Sequence, residues 1–114
     1  MPETGQGVPP ENNGLYQLNR GPWRERNSYA TIREKREDAN GFVRHWDPIA
    51  KAPFLYNPAD SIFVSYEDTV SIRLKTEYAI NTGLGGIMFW SLGGDTPKEG
   101  LVDAIYKAKM KSIN

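Results

Sequence analysis

The stretch of residues 84–92 is an apolar run without polar alternation, the pattern of a strand covered on both faces, as in a parallel sheet. Helical periodicity flanks it over about residues 69–81 and 98–111. The second half therefore predicts helix–strand–helix, the repeating element of an α/β barrel or open sheet. One parallel strand cannot form a sheet, and 114 residues are too few for a complete barrel of about 250. We expect the chain to be part of something larger.

The first half predicts a different architecture. Three segments rich in aromatic and β-branched residues, 42–47, 52–57 and 61–66, recur at a spacing of about ten and predict a small antiparallel meander. Residues 28–38 are predicted to form a helix that Ser28 caps. Residues 1–13, mostly Pro, Gly, Glu and Asn, are predicted to be a disordered arm.

Single residues and short segments mark the ends of the predicted elements. Asp68 is predicted to cap the helix over 69–81, which Gly83 ends. Residues 15–18 are interpreted as a short strand, and the acidic pair Glu37 and Asp38 as a solvated helix end.

Composition excludes several function classes. Fourteen basic and fourteen acidic residues cancel, so the chain lacks the positive charge of a nucleic-acid binder. There is no cysteine and one histidine, which excludes thiolate zinc sites and leaves little for a histidine site. The longest unbroken apolar run, residues 87–90, is far shorter than the roughly 20 residues of a membrane span. We predict no metal, no cofactor, no nucleic-acid partner and no membrane partner.

Four motifs carry a family resemblance: residues 41–47, 52–57, 63–68 and 85–90. In this order and at these spacings the sequence, from about residue 14 to 105, closely resembles the C-terminal part of glycoside hydrolase family 18 chitinases. The family fold is a (β/α)₈ barrel with a small α+β insertion domain after the seventh strand.

The resemblance implies a division of the chain and an α+β fold class. Residues 14–67 resemble the insertion domain, a small antiparallel meander with a helix. Residues 68–114 resemble the helix–strand–helix that ends the barrel. Since the barrel neighbours of strand 84–92 are missing, we expect this strand either to pair with the meander or to drive self-association.

The resemblance also implies an activity for the parent protein. The family hydrolyses β-1,4-linked N-acetylglucosamine polymers by a substrate-assisted retaining mechanism, in which the glutamate of Asp-x-x-Asp-x-Asp-x-Glu protonates the leaving oxygen. No eight-residue window of this chain fits that signature. We therefore predict no catalytic residue here and an inactive isolated chain. An extracellular parent is implied by the resemblance alone, since no signal peptide is visible.

Three substrate-binding residues are implied. Trp90 resembles the family tryptophan that forms the floor of a sugar-binding subsite. The alternative is that Trp90 packs in the core. Arg44 resembles an insertion-domain arginine that points into the cleft, and the alternative is a solvated strand arginine. Glu67 stands where the family usually has the first aspartate of Tyr-Asp-Asp, so its carboxylate lies one methylene further out.

Two other functions stay open. The parent is either a chitinase or a non-catalytic chitinase-like lectin in which the catalytic glutamate is replaced. A stand-alone carbohydrate-binding module is a further alternative. In each case the expected partner is chitin or a chitooligosaccharide.

Overall fold

A four-stranded antiparallel sheet forms the centre of the fold in the computed structural model, in the order β1–β4–β3–β2. The structure describes residues 3–23, 25, 28–88, 94–96 and 99–113. The strands are β1 (Glu3–Gly5), β2 (Val43–Asp47), β3 (Ala52–Asn57) and β4 (Ile62–Ser65). The helices are α1 (Tyr29–Thr31), which runs on as a π-helical turn (Ile32–Arg36), α2 (Thr69–Asn81) and α3 (Leu101–Ile113), and a short 3₁₀ turn covers Glu11–Gly14.

The predicted meander is confirmed by the hairpins β2–β3 and β3–β4. Each tight turn is held by the last polar residue of the preceding strand. Asp47 Oδ1 accepts the backbone N–H of Ile49 at 2.9 Å. Asn57 Oδ1 accepts the N–H groups of Ala59 and Asp60 at 3.1 and 3.2 Å. Such short polar side chains mimic a backbone turn, which explains why the strands end there.

The expectation of a disordered arm does not hold for residues 3–13. β1 pairs antiparallel with β4, so it covers backbone groups that an edge strand would leave unpaired. Val8 is buried, its N–H donates to the carbonyl of Ser61 at 2.9 Å, and its own carbonyl accepts the hydroxyl of Tyr56 at 2.6 Å. The predicted strand over 15–18 is absent, since Tyr16 has a φ of 62° that a strand cannot contain.

Capping explains where α1 and α2 begin. The Ser28 hydroxyl accepts the N–H of Thr31 at 3.3 Å. At α2, Asp68 Oδ1 accepts the N–H of Ser71, and Ser71 Oγ accepts the N–H of Asp68, both at 2.9 Å. This reciprocal pair is a capping box. Gly83 follows the helix at a φ of 73°, as predicted for its end.

The last helix begins later than its periodicity predicted. The Asp95 carboxylate accepts the N–H groups of Leu101 at 2.8 Å and Val102 at 2.9 Å. A carboxylate satisfying the first free N–H groups fixes the helix start at Leu101. Lys98, where the helix was predicted to begin, lies outside the described residues.

The predicted strand 84–92 is wrong for residues 84–88, which belong to no strand. Leu84 is 57% exposed and Met88 is 93% exposed. A strand needs a partner for its backbone groups, and in the part of the chain that the structure describes no strand pairs with this segment. Pairing with the meander is therefore not seen for 84–88, and residues 89–92 lie outside the described ranges.

The core lies on one face of the sheet, beneath α1. Its buried members come from the π-helical turn after α1, from the sheet and from the segments that flank the sheet: Ile32, Phe42, Leu55, Ile62, Val64 and Tyr66. Trp23 packs against this cluster, with its ring centre 5.5 Å from that of Phe42. An antiparallel sheet with helices is the α+β class that was predicted. No helix in the described ranges combines the length and apolar character needed to cross a bilayer.

Candidate polar site beside helix α2

Arg44 lies on the edge strand β2, and its guanidinium reaches across to the start of α2. Arg44 Nη2 donates to Asp68 Oδ2 at 2.5 Å, and Cζ lies 5.7 Å from the centre of the Trp46 ring. The side chain is 28% exposed. Burial disfavours the charged guanidinium, but the hydrogen bond that Arg44 donates to Asp68 and the negative charge of Asp68 outweigh burial and raise the pKa of Arg44. Arg44 is thus an oriented, largely covered cation and not a solvated strand arginine.

Glu67 is held against the first turns of α2. Its Oε2 accepts the hydroxyl of Ser71 at 2.8 Å, and its Oε1 is paired with the ammonium of Lys75. The Glu67 side chain is 31% exposed, so the carboxylate keeps access to solvent. The structure brings Arg44 and Glu67 to the same helix N-terminus, Arg44 through Asp68 and Glu67 through Ser71.

A second polar link was missed by sequence reasoning. The Tyr66 hydroxyl donates to Glu37 Oε2 at 2.6 Å, and Glu37 Oε1 lies 3.1 Å from Arg33 Nη1. The neighbouring Asp38 Oδ1 accepts the backbone N–H of Arg44 at 2.8 Å. The interpretation of Glu37 and Asp38 as a solvated helix end was therefore wrong for Glu37, whose side chain is 16% exposed and bound to Tyr66. Asp38 is exposed, as that interpretation expects.

Trp90, the third predicted site residue, lies outside the described residues. A cavity of about 840 Å³ lies between α1, α2, residues 84–88 and α3. Tyr66, Glu67 and Lys75 line it, together with apolar side chains such as Ile72 and Leu101. Among the described residues, no group of three or more side chains is placed to hold a metal ion.

Burial, followed by the hydrogen bond to Glu37, raises the pKa of Tyr66 well above its usual value of 10.0. The unfolded state therefore releases this proton at a lower pH than the folded state, so Tyr66 contributes stability that is fully present below about pH 10 and is lost above it. The loss is about 1.4 kcal/mol per pH unit while only the unfolded state is deprotonated. We expect Tyr66→Phe to remove this part of the alkaline destabilisation.

Urea unfolding at pH 8 and at pH 11 checks this expectation for Tyr66. At pH 8 the variant is expected to be less stable by about 1–2 kcal/mol, because Glu37 loses a donor. The difference in free energy of unfolding between wild type and variant should become smaller at pH 11. Exposed Tyr78→Phe serves as the matched control, since Tyr78 is 65% exposed. A gap that stays constant with pH would contradict the expectation.

The sequence and the structure of the chain are both similar to those of known proteins. Residues 3–95 match the model of Glycosyl hydrolases family 18. Chitinase A1 of Niallia circulans is 49% identical over 59 residues, which are 52% of this chain and 8% of that protein. The structure of a glycoside hydrolase family 18 N-acetylglucosaminidase from Paenibacillus barengoltzii aligns with a TM-score of 0.84 and 38% identity. That alignment covers 94% of this chain and 31% of the other.

A further solved structure, chitinase ChiA74 from Bacillus thuringiensis, aligns with a TM-score of 0.83 at 31% identity. It covers 96% of this chain and 22% of that one. The chain thus spans less than a third of each of these three proteins. Most of each of those proteins lies outside the part that aligns with this chain.

Proposed function

Because this chain belongs to glycoside hydrolase family 18, we propose that it forms one wall of the substrate cleft in an enzyme that hydrolyses β-1,4-linked N-acetylglucosamine polymers. The observation that carries the proposal is the match of residues 3–95 to the family model. The structural alignment with a family N-acetylglucosaminidase, at 38% identity and a TM-score of 0.84, supports it. Chitinase A1, at 49% identity, supports chitin or a chitooligosaccharide as the partner.

In this proposal three residues contact sugar. The guanidinium of Arg44 keeps N–H donors beyond the one given to Asp68, and a fork of donors suits sugar hydroxyls and carboxylates. The carboxylate of Glu67, whose side chain is 31% exposed, accepts hydrogen bonds from sugar hydroxyls. The indole of Trp90 stacks on the C–H face of a sugar and excludes water.

The reaction proceeds by substrate assistance, in which the N-acetyl oxygen attacks the anomeric carbon while a glutamate protonates the leaving oxygen. This chain has no Asp-x-x-Asp-x-Asp-x-Glu signature, so its role is to bind and orient substrate. Residues 14–67 would form the insertion domain and 68–114 the last elements of the barrel. We further propose an extracellular parent.

The coding sequence around this chain tests the proposal. It is expected to encode Asp-x-x-Asp-x-Asp-x-Glu upstream, and the full-length product is expected to hydrolyse a chromogenic chitobioside. Replacing the signature glutamate by glutamine should lower turnover by about 10²–10⁴-fold. A full-length product that binds chitin but lacks the glutamate and any turnover would instead identify a chitinase-like lectin.

A further inference from the structure

Asp68 uses both carboxylate oxygens, and the two oxygens serve different elements. Oδ1 accepts the N–H of Ser71 at 2.9 Å and caps α2, whereas Oδ2 accepts Arg44 Nη2 at 2.5 Å. The residue is 5% exposed. A helix N-cap needs one oxygen and no charge, because asparagine and serine cap about as well as aspartate. A negative charge is favourable at a helix N-terminus, but capping leaves the second oxygen of Asp68 unexplained.

The second oxygen of Asp68 accepts a hydrogen bond from Arg44. A long side chain on an edge strand has many rotamers, and fixing one of them costs conformational entropy. The backbone of Arg44 is anchored by Asp38, and the Trp46 ring covers one side of the guanidinium. A charge-assisted hydrogen bond is about twice as strong as a neutral one, so Asp68 is the contact able to select one guanidinium orientation.

We propose that Asp68 is a positioning residue, which holds the Arg44 guanidinium in one orientation and so fixes the directions of its remaining N–H donors. The same carboxylate begins α2, so the orientation of Arg44 depends on the helix start being formed. The consequence for sugar binding rests on the function proposed above. The positioning itself does not, because it is a property of this chain without ligand.

Asp68→Asn separates the two tasks of the carboxylate. It keeps a good N-cap but removes the charge that holds Arg44. Ser71→Ala is the matched control, since it removes the hydroxyl half of the capping box and leaves the Asp68–Arg44 contact in place. The readout is the ¹⁵N signal pattern of the Arg44 guanidinium, whose Nη groups give separate signals when rotation is slow. We expect rotation to be about tenfold faster in Asp68→Asn and unchanged in Ser71→Ala.

Unchanged rotation in a folded Asp68→Asn variant would overturn the proposal. Asp68→Ser, which also keeps a cap, repeats the test in case the asparagine variant unfolds. If both variants lose amide dispersion while Ser71→Ala keeps it, the charge is needed for the fold itself, and a separate positioning role is rejected. Chitotriose is then added to the wild type. If it leaves the Arg44 signals unmoved, the proposed sugar contact fails, while the rotation result still decides the role of Asp68.

Discussion

The isolated chain is expected to release no product from a chromogenic chitobioside above the rate in buffer. It lacks the glutamate that protonates the leaving oxygen, and general acid catalysis alone contributes about 10²–10⁴-fold. It also lacks most of the residues of the enzymes it resembles, 69% of the aligned N-acetylglucosaminidase among them, since the alignment covers 31% of that chain. Product release over hours, beside a complete family 18 chitinase as positive control, checks this.

A trace of contaminating enzyme is the main risk in that assay, so a variant decides the origin of any signal. Turnover that persists at equal rate in Trp90→Ala preparations comes from a contaminant. Sustained turnover by the wild-type chain that disappears in Trp90→Ala would contradict our account, because a chain without the signature glutamate would then be catalytic.

Replacing Leu55 by alanine is expected to lower the free energy of unfolding by about 2–5 kcal/mol. Leu55 is 0% exposed on the inner strand β3 and belongs to the core cluster, so its truncation leaves a cavity. Leu18→Ala is the matched control, since Leu18 is 89% exposed and should change stability by less than about 0.5 kcal/mol. Urea unfolding followed by tryptophan fluorescence measures both. Equal stability of the two variants would show that the core lies elsewhere.

The elements that sequence predicted well are those set by local signals. Asp68 and Gly83 bound α2 because a cap and a left-handed residue act within one turn. Asp47 and Asn57 close the hairpins through their own side chains, so the meander is also encoded locally.

The elements that sequence missed depend on distant partners. β1 forms because it meets the free edge of β4, about sixty residues away in the sequence. Glu37 is a structural contact because its carboxylate accepts the hydroxyl of Tyr66, and no spacing pattern links the two residues. Residues 84–88 have the composition of a buried strand, but composition cannot supply the neighbouring strands that a ladder requires.

The candidate site shows the same division. Arg44 and Glu67 were singled out by family resemblance, and the structure places both at the start of α2. Their roles as sugar contacts stay predictions, as does that of Trp90. The bond between Arg44 and Asp68 could not be predicted from sequence, because the two residues lie on different elements and no local pattern links them.

The proposed function requires Trp90, Arg44 and Glu67 to contact sugar in one cleft. Its most direct test is an NMR titration of the chain with chitotriose. Association costs about 4–15 kcal/mol before any contact is counted, so one wall of a cleft should bind with a Kd in the millimolar range or weaker. We predict shifts centred on Trp90 with smaller ones at Arg44 and Glu67, and loss of these shifts in Trp90→Ala. Micromolar binding that persists in Trp90→Ala would contradict the claim and would identify a carbohydrate-binding module with its site elsewhere.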